Sequence, residues 1–285
     1  MKIKRKVLSL FTAVMLTMTM VGCSSTEEDK SDDAQASESQ VKEITLATTT
    51  SLNDTGFLED TLKGFEEENG VKVNVVAKGT GEALELGKSK DADILFVHAK
   101  QKEEDFIKEG YGIERSEIMY NYFVVVGPKD GEKNQEMSNL SAPEALKYIA
   151  DNNLVFVSRG DESGTHTKEK SLWETSGAKN DFENYNEAGK GMADTLQMAS
   201  EMKGYALTDI GTYLSMKDKL DLEIVKDKDD SLKNVYSMVT ISELDKEIEE
   251  ITNKLVKYYK SEDAQKQIKE YGVSKYGKPL FFTFE

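Results

Sequence analysis

The chain has 285 residues, with 37 Lys and Arg against 53 Asp and Glu, a formal net charge of −16 at pH 7. Such a balance excludes nucleic acid and anionic lipid surfaces as main partners, since both carry the same sign. One cysteine, Cys23, excludes an intramolecular disulfide.

The N-terminus opens with MKIKRK and the apolar run VLSLFTAVMLTMTMV, which is short for a membrane span and flanked like a secretory signal. Residues 1–22 are therefore expected to be a signal peptide. Gly22-Cys23 resembles a bacterial lipobox, which implies that Cys23 is the lipidated first residue of the mature chain. The following STEEDKSDDAQASESQ has no aromatic and no aliphatic larger than Ala. It cannot bury a core, so residues 23–43 are expected to form a disordered acidic tether. This places the folded part outside the cytoplasm, held to the bacterial cell membrane by the lipid anchor only.

From Ile44 on, short β-rich runs alternate with amphipathic helical stretches, an α/β signature. The expected strands are EITLATT, VKVNVVA, ADILFVHA, YFVVVG, LVFVS, YALTD, LEIVK and VYSMVTI. Between the first two, GFLEDTLKGFEEEN puts Phe57, Leu58, Leu62 and Phe65 on one helical face. PEALKYIADN, GMADTLQMASEMK, ELDKEIEEITNKLVKYYK and EDAQKQIKEYG are read as helices in the same way. MYNYFVVVGP, 119–128, is long enough to leave one sheet and enter another, and NVYSMVTIS, 234–242, supplies a return crossing. Two lobes follow: residues 44–122 completed by 236–285, and residues 123–235. Two hinge strands join them, and the cleft between is the expected ligand site.

Three strand-to-helix junctions share one chemistry. They are TTTSLNDTG with Thr48, Thr49, Thr50 and Ser51; KGTGEAL with Gly79, Thr80 and Gly81; and SRGDESGT with Ser158, Arg159, Gly160, Ser163, Gly164 and Thr165. Hydroxyls and small residues sit where a helix start leaves backbone N–H groups unpaired, which with the helix dipole favours an anion. Only Arg5, Arg115 and Arg159 are arginines. A guanidinium offers paired donors to two oxygens of a tetrahedral oxyanion, whereas a lysine is a point charge. Each junction also has a plain reading as helix capping or a tight turn, and it is their recurrence that points to an anion. His98 and His166 are read as hydrogen-bonded scaffold, Trp173 as core packing, and Asp161 either as an N-cap or as a ligand group. No nucleophile with a base and no metal-ligand spacing is visible, so a binder rather than an enzyme is expected, with no cofactor and no metal cation.

Taken in order, TTTS, GTGEALELGKSKDADILFVHA, MYNYFVVVGP, SRGDESGTHTKE, YALTDIGTYL and YGKPLFF resemble the tungstate-binding proteins of TupA-type ABC importers. The resemblance runs from about residue 44 to 285. It implies a two-lobed type II periplasmic-binding-protein fold that closes on tungstate and delivers it to a permease and its ATPase, as a monomer. It also implies oxyanion contacts from Thr49, Thr50 and Ser51 of one lobe and Arg159, Ser163, Gly164 and Thr165 of the other, with Thr80 and His98 as weaker carry-overs. Leu52, Glu82 and Ile210 depart from the residues common in the family, and Ile210 removes a charge near the expected cleft. Three alternatives stay open. Molybdate matches tungstate in size and charge. Phosphate re-enters if Asp161 faces the pocket and accepts its proton. A sensor lipoprotein on the same fold would lack permease and ATPase genes beside its own.

Overall fold

The structure, a computed structural model, describes residues 42–284. The expected signal peptide, Cys23 and almost all of the expected tether lie outside the described residues. In chain order the elements are β1 (Lys42–Thr49), α1 (Thr50–Asn53), α2 (Phe57–Asn69), β2 (Val71–Lys78), α3 (Thr80–Ser89), β3 (Ile94–Val97), α4 (Lys100–Lys108) and β4 (Gly112–Pro128). Next come α5 (Asn134–Ser138), α6 (Ala142–Asp151), β5 (Phe156–Ser158), α7 (Gly164–Ser176), β6 (Tyr185–Glu187), α8 (Met192–Glu201), β7 (Ala206–Asp209) and α9 (Ile210–Met216). β8 (Leu222–Lys226), β9 (Lys233–Ile241), α10 (Lys246–Tyr259), α11 (Glu262–Glu270) and α12 (Val273–Tyr276) complete the fold.

β1 pairs in parallel with β2 and β3, and β3 pairs antiparallel with β9. β1 already pairs at Lys42, opposite Val71, so the sheet begins two residues inside the expected tether. α2 buries the predicted stripe of Phe57, Leu58, Leu62 and Phe65 and ends at Gly70, whose φ of 62° suits glycine. α6 starts with a full capping box, Ser141 and Glu144 exchanging hydrogen bonds with each other's backbone N–H.

β4 is the spine of the molecule. Its residues from Gly112 to Tyr122 pair antiparallel with β9, while Phe123 to Pro128 pair with β7 and β8. The strand thus leaves one group of strands and enters another between Tyr122 and Phe123. β5 and β6 form a separate parallel pair, tied to the second group through Tyr205 N–H and C=O, which bond the backbone of Val155 and Val157. β6 has no counterpart among the expected strands. Its three residues, Tyr-Asn-Glu, give no apolar alternation to read. On β4, the Tyr120 ring stacks on Phe282 with centroids 5.5 Å apart, and the backbones of these two residues exchange both hydrogen bonds.

Trp173 is core, as expected: it is 2% exposed and meets Phe156 edge-on. Ile210 is also buried in an apolar cluster, and Leu52 is fully buried. Two of the three departures from the family pattern, Leu52 and Ile210, therefore fall in packing positions, while Glu82 lines the cleft described below.

Candidate functional site

All three junctions open onto one small recess. Thr49, Thr50 and Ser51 line it from the end of β1, Thr80 from the start of α3, and Arg159, Ser163, Gly164 and Thr165 from the β5–α7 turn. Every residue expected to contact ligand is therefore brought to one place, joined by Gly79, His98 and Lys78. Thr48 is not among them: its hydroxyl donates to Phe96 C=O at 2.7 Å and belongs to the scaffold. Lys78 was not singled out because a lysine at a strand end is an ordinary solvated residue.

Local sequence dictates the β5–α7 turn. Gly160 has φ of 63°, and a Cβ there would lie 2.9 Å from Glu187 Cβ, so only glycine fits. Ser163 caps α7, its hydroxyl accepting from His166 N–H at 3.3 Å. Asp161 is thus not the N-cap. Its Oδ2 accepts from Arg159 Nε at 2.7 Å and its Oδ1 from Ser163 N–H at 3.1 Å. The carboxylate holds the guanidinium by one edge, with the two side chains 10% and 23% exposed. Neither Nη of Arg159 is hydrogen-bonded within the described residues, so the fork remains available to a ligand.

Two buried groups face this charge. Asp209 caps α9 through Thr212 N–H and hydroxyl, at 2.8 and 2.6 Å. Burial raises its carboxyl above the ordinary range, against those two donors and the charge of Arg159. His98 is 9% exposed, and burial is the main cause that lowers it to about 4, with Arg159 adding to the drop and Asn234 opposing it. The imidazole is therefore neutral at pH 7. Between the ordinary 6.5 and about 4 the unfolded chain takes up a proton at this residue and the native chain does not, so native stability falls as pH falls through that window. The contribution reaches about 3 kcal/mol below the lower value. Denaturant titrations from pH 7 to 4 should show this component in the wild type and not in His98→Gln.

Thr80 Oγ1 is a buried hydroxyl with no hydrogen-bond partner, in a residue 1% exposed at the first turn of the ten-residue α3. A Cβ on Gly164 would come within 3.3 Å of this oxygen and 3.1 Å of His98 Cε1, so the helix starts of α3 and α7 face each other across the recess. An orphaned buried hydroxyl costs about 1–3 kcal/mol and is explained by a partner that the protein itself does not supply. Thr80→Val should accordingly leave thermal stability unchanged or higher, while oxyanion affinity drops about tenfold. Calorimetric melting and titration on the same preparation check both halves.

Beside the recess lies a wider cleft of about 760 Å³, sharing Thr50, Ser51, Gly79, Thr80, Arg159 and Ser163 with it. Asp54, Glu82, Asp161, Glu162 and Asp194 also line this cleft, so acids surround the single arginine. His166 is scaffold: it is 5% exposed, and its Nδ1 accepts from Glu162 N–H at 3.0 Å. Among the described residues no group of three or more His, Cys, Asp or Glu is placed to hold a metal ion.

A family model for the PBP superfamily domain matches residues 33–265. The tungstate-binding protein TupA of Peptoclostridium acidaminophilum is 43% identical, over 97% of this chain and 98% of its own. The crystal structure of the tungstate ABC transporter from Geobacter sulfurreducens superposes with a TM-score of 0.73 at 40% identity, over 80% of this chain and 98% of that one. The tungstate-binding protein TupA from Desulfovibrio alaskensis gives 0.75 at 36% identity, over 85% and 99%. With its two strand groups joined through β4, this chain belongs to the type II periplasmic-binding-protein family and, within it, to the TupA-type tungstate-binding proteins of ABC importers.

Proposed function

We propose that this protein is an extracytoplasmic lipoprotein that captures tungstate as a dianion in the recess and passes it to an ABC permease and its ATPase. Cys23 carries the lipid, and the anchor is the sole attachment to the membrane. The lobes are residues 44–122 with 236–285, and residues 123–235. The ligand contacts are Thr49, Thr50, Ser51 and Thr80 on one side and Arg159, Ser163, Gly164 and Thr165 on the other. The observation that carries this reading is the convergence of unpaired donors, Arg159 Nη1 and Nη2 and the Thr80 hydroxyl, at the facing starts of α3 and α7. The Peptoclostridium relative is named for tungstate binding, which supports the choice of ion, and no helix among the described residues is long and apolar enough to cross a membrane.

Asp161 lines the wider cleft, the condition under which phosphate would compete. Both its oxygens, however, already receive a donor, which supports an unprotonated dianion over monohydrogen phosphate. Size and charge do not separate molybdate from tungstate. Isothermal titration against tungstate, molybdate, sulfate and phosphate at neutral pH tests the reading. Tungstate binding well ahead of phosphate is expected, and tighter binding of phosphate would refute it.

A further inference from the structure

A line of buried polar side chains leads from β4 and β9 to the recess. Asn121 on β4 and Asn234 on β9 lie opposite each other in register and are 1% and 2% exposed. Asn234 Nδ2 donates to Asn121 Oδ1 at 2.8 Å, and Asn121 Nδ2 donates to the Tyr236 hydroxyl at 3.4 Å. Asn234 Oδ1 faces His98 Nδ1 at 2.8 Å. An amide oxygen only accepts, so Nδ1 carries the proton. The ring is neutral, which leaves Nε2 bare, 3.3 Å from Ser51 Oγ. In this direction Ser51 gives its proton to the histidine, and Thr49 Oγ1 stands 3.2 Å behind it.

That direction is wrong for an unprotonated dianion, which needs donors from the Ser51 side. The same heavy-atom positions serve the opposite direction equally well. If both amides turn by half a rotation, the Tyr236 hydroxyl donates to Asn121, Asn121 to Asn234, and Asn234 Nδ2 to His98 Nδ1. His98 Nε2–H then donates to Ser51 Oγ, and the serine proton is free for the ligand. The ring gives up its Nδ1 proton to solvent and gains one at Nε2 from solvent in the recess that His98 lines, with no net proton uptake. A mixed state would set donor against donor or acceptor against acceptor in a buried place, so the members change together.

We propose that Asn121 and Asn234 are positioning residues that set the tautomer of His98, and that binding of an unprotonated oxyanion reverses this chain so that Ser51 donates to it. The proposal rests on the oxyanion reading above. A merely structural network would keep one direction throughout.

The test is nitrogen NMR of the imidazole rings in protein labelled with 15N at its two histidines, titrated with sodium tungstate at pH 7. His98 should carry its proton on Nδ1 without ligand and on Nε2 at saturation. His166, whose Nδ1 accepts from Glu162 N–H, should stay protonated on Nε2 in both states and serves as the internal reference. Asn234→Leu should abolish the tautomer change and weaken tungstate binding about tenfold. Tungstate binding with an unchanged His98 tautomer overturns the relay and leaves the ligand reading intact. No tungstate binding at all overturns both. The wild-type spectra decide the matter even if the variant does not fold.

Discussion

Arg159→Ala is expected to lower tungstate affinity by roughly 10- to 100-fold, the ~1.5–3 kcal/mol of a hydrogen bond to a charged group. The arginine is the only cationic side chain among the residues lining the wider cleft, where Asp54, Glu82, Asp161, Glu162 and Asp194 face it. Its removal deletes two ligand donors and also releases Asp161, whose Oδ2 accepts from Nε at 2.7 Å. It further removes a positive charge that holds down the buried carboxyl of Asp209. The dianion would then have to pass a wider cleft whose remaining charged side chains repel it, with Lys78 the one cationic side chain left on the recess. Arg159→Lys should recover only part of the loss, because an ammonium cannot bond Asp161 along one edge and present a two-pronged fork on the other. Titration calorimetry on the three proteins reads this directly, and equal affinities would remove Arg159 from the site.

The largest effect on stability is expected at Glu103. This carboxylate is fully buried at the start of α4 and accepts from Arg115 Nε at 2.7 Å. It also accepts from the Ser237 hydroxyl and the Ala99 backbone N–H. Arg115 and Ser237 lie on β4 and β9, so one side chain ties a helix to both strands. Arg115 Nη2 is already buried without a partner. Glu103→Ala would strand the guanidinium Nε, a hydroxyl and an amide at once. Breaking a buried pair by removing one member costs about 3–5 kcal/mol, and for a body of this size that lowers Tm by roughly 10 °C. Tungstate affinity of the folded fraction should change little, because Glu103 does not line the recess. A melting temperature within a degree or two of wild type would show that the pair is not needed to hold the strands.

Much of this was legible in the sequence because the governing signals are local. The α2 stripe, the 119–128 part of β4 and the Ser-Gly-Thr helix start each follow from periodicity or capping within a dozen residues, whereas the first half of β4, from Gly112, was not read as strand. The three junctions could be grouped from chemistry alone, since hydroxyls and glycine at helix starts favour anions wherever the fold brings them. What stayed hidden depends on contacts between distant residues. Asp161 was open between cap and ligand group because its actual partner, the Arg159 edge, is a matter of side-chain direction. The chain from Tyr236 through Asn121 and Asn234 to His98 is made of links that span 113 to 136 positions, and isolated asparagines in strands carry no signal of their own. β6, three residues held by pairing with β5, depends on its neighbour rather than on any propensity.

The most direct test of the account is a crystal structure of the protein with sodium tungstate, read at the tungsten absorption edge. The anomalous map should show one strong peak in the recess, in contact with Arg159, Ser163 and the Thr80 hydroxyl. A peak elsewhere in the molecule, or a recess left empty at saturating tungstate, would contradict the assignment.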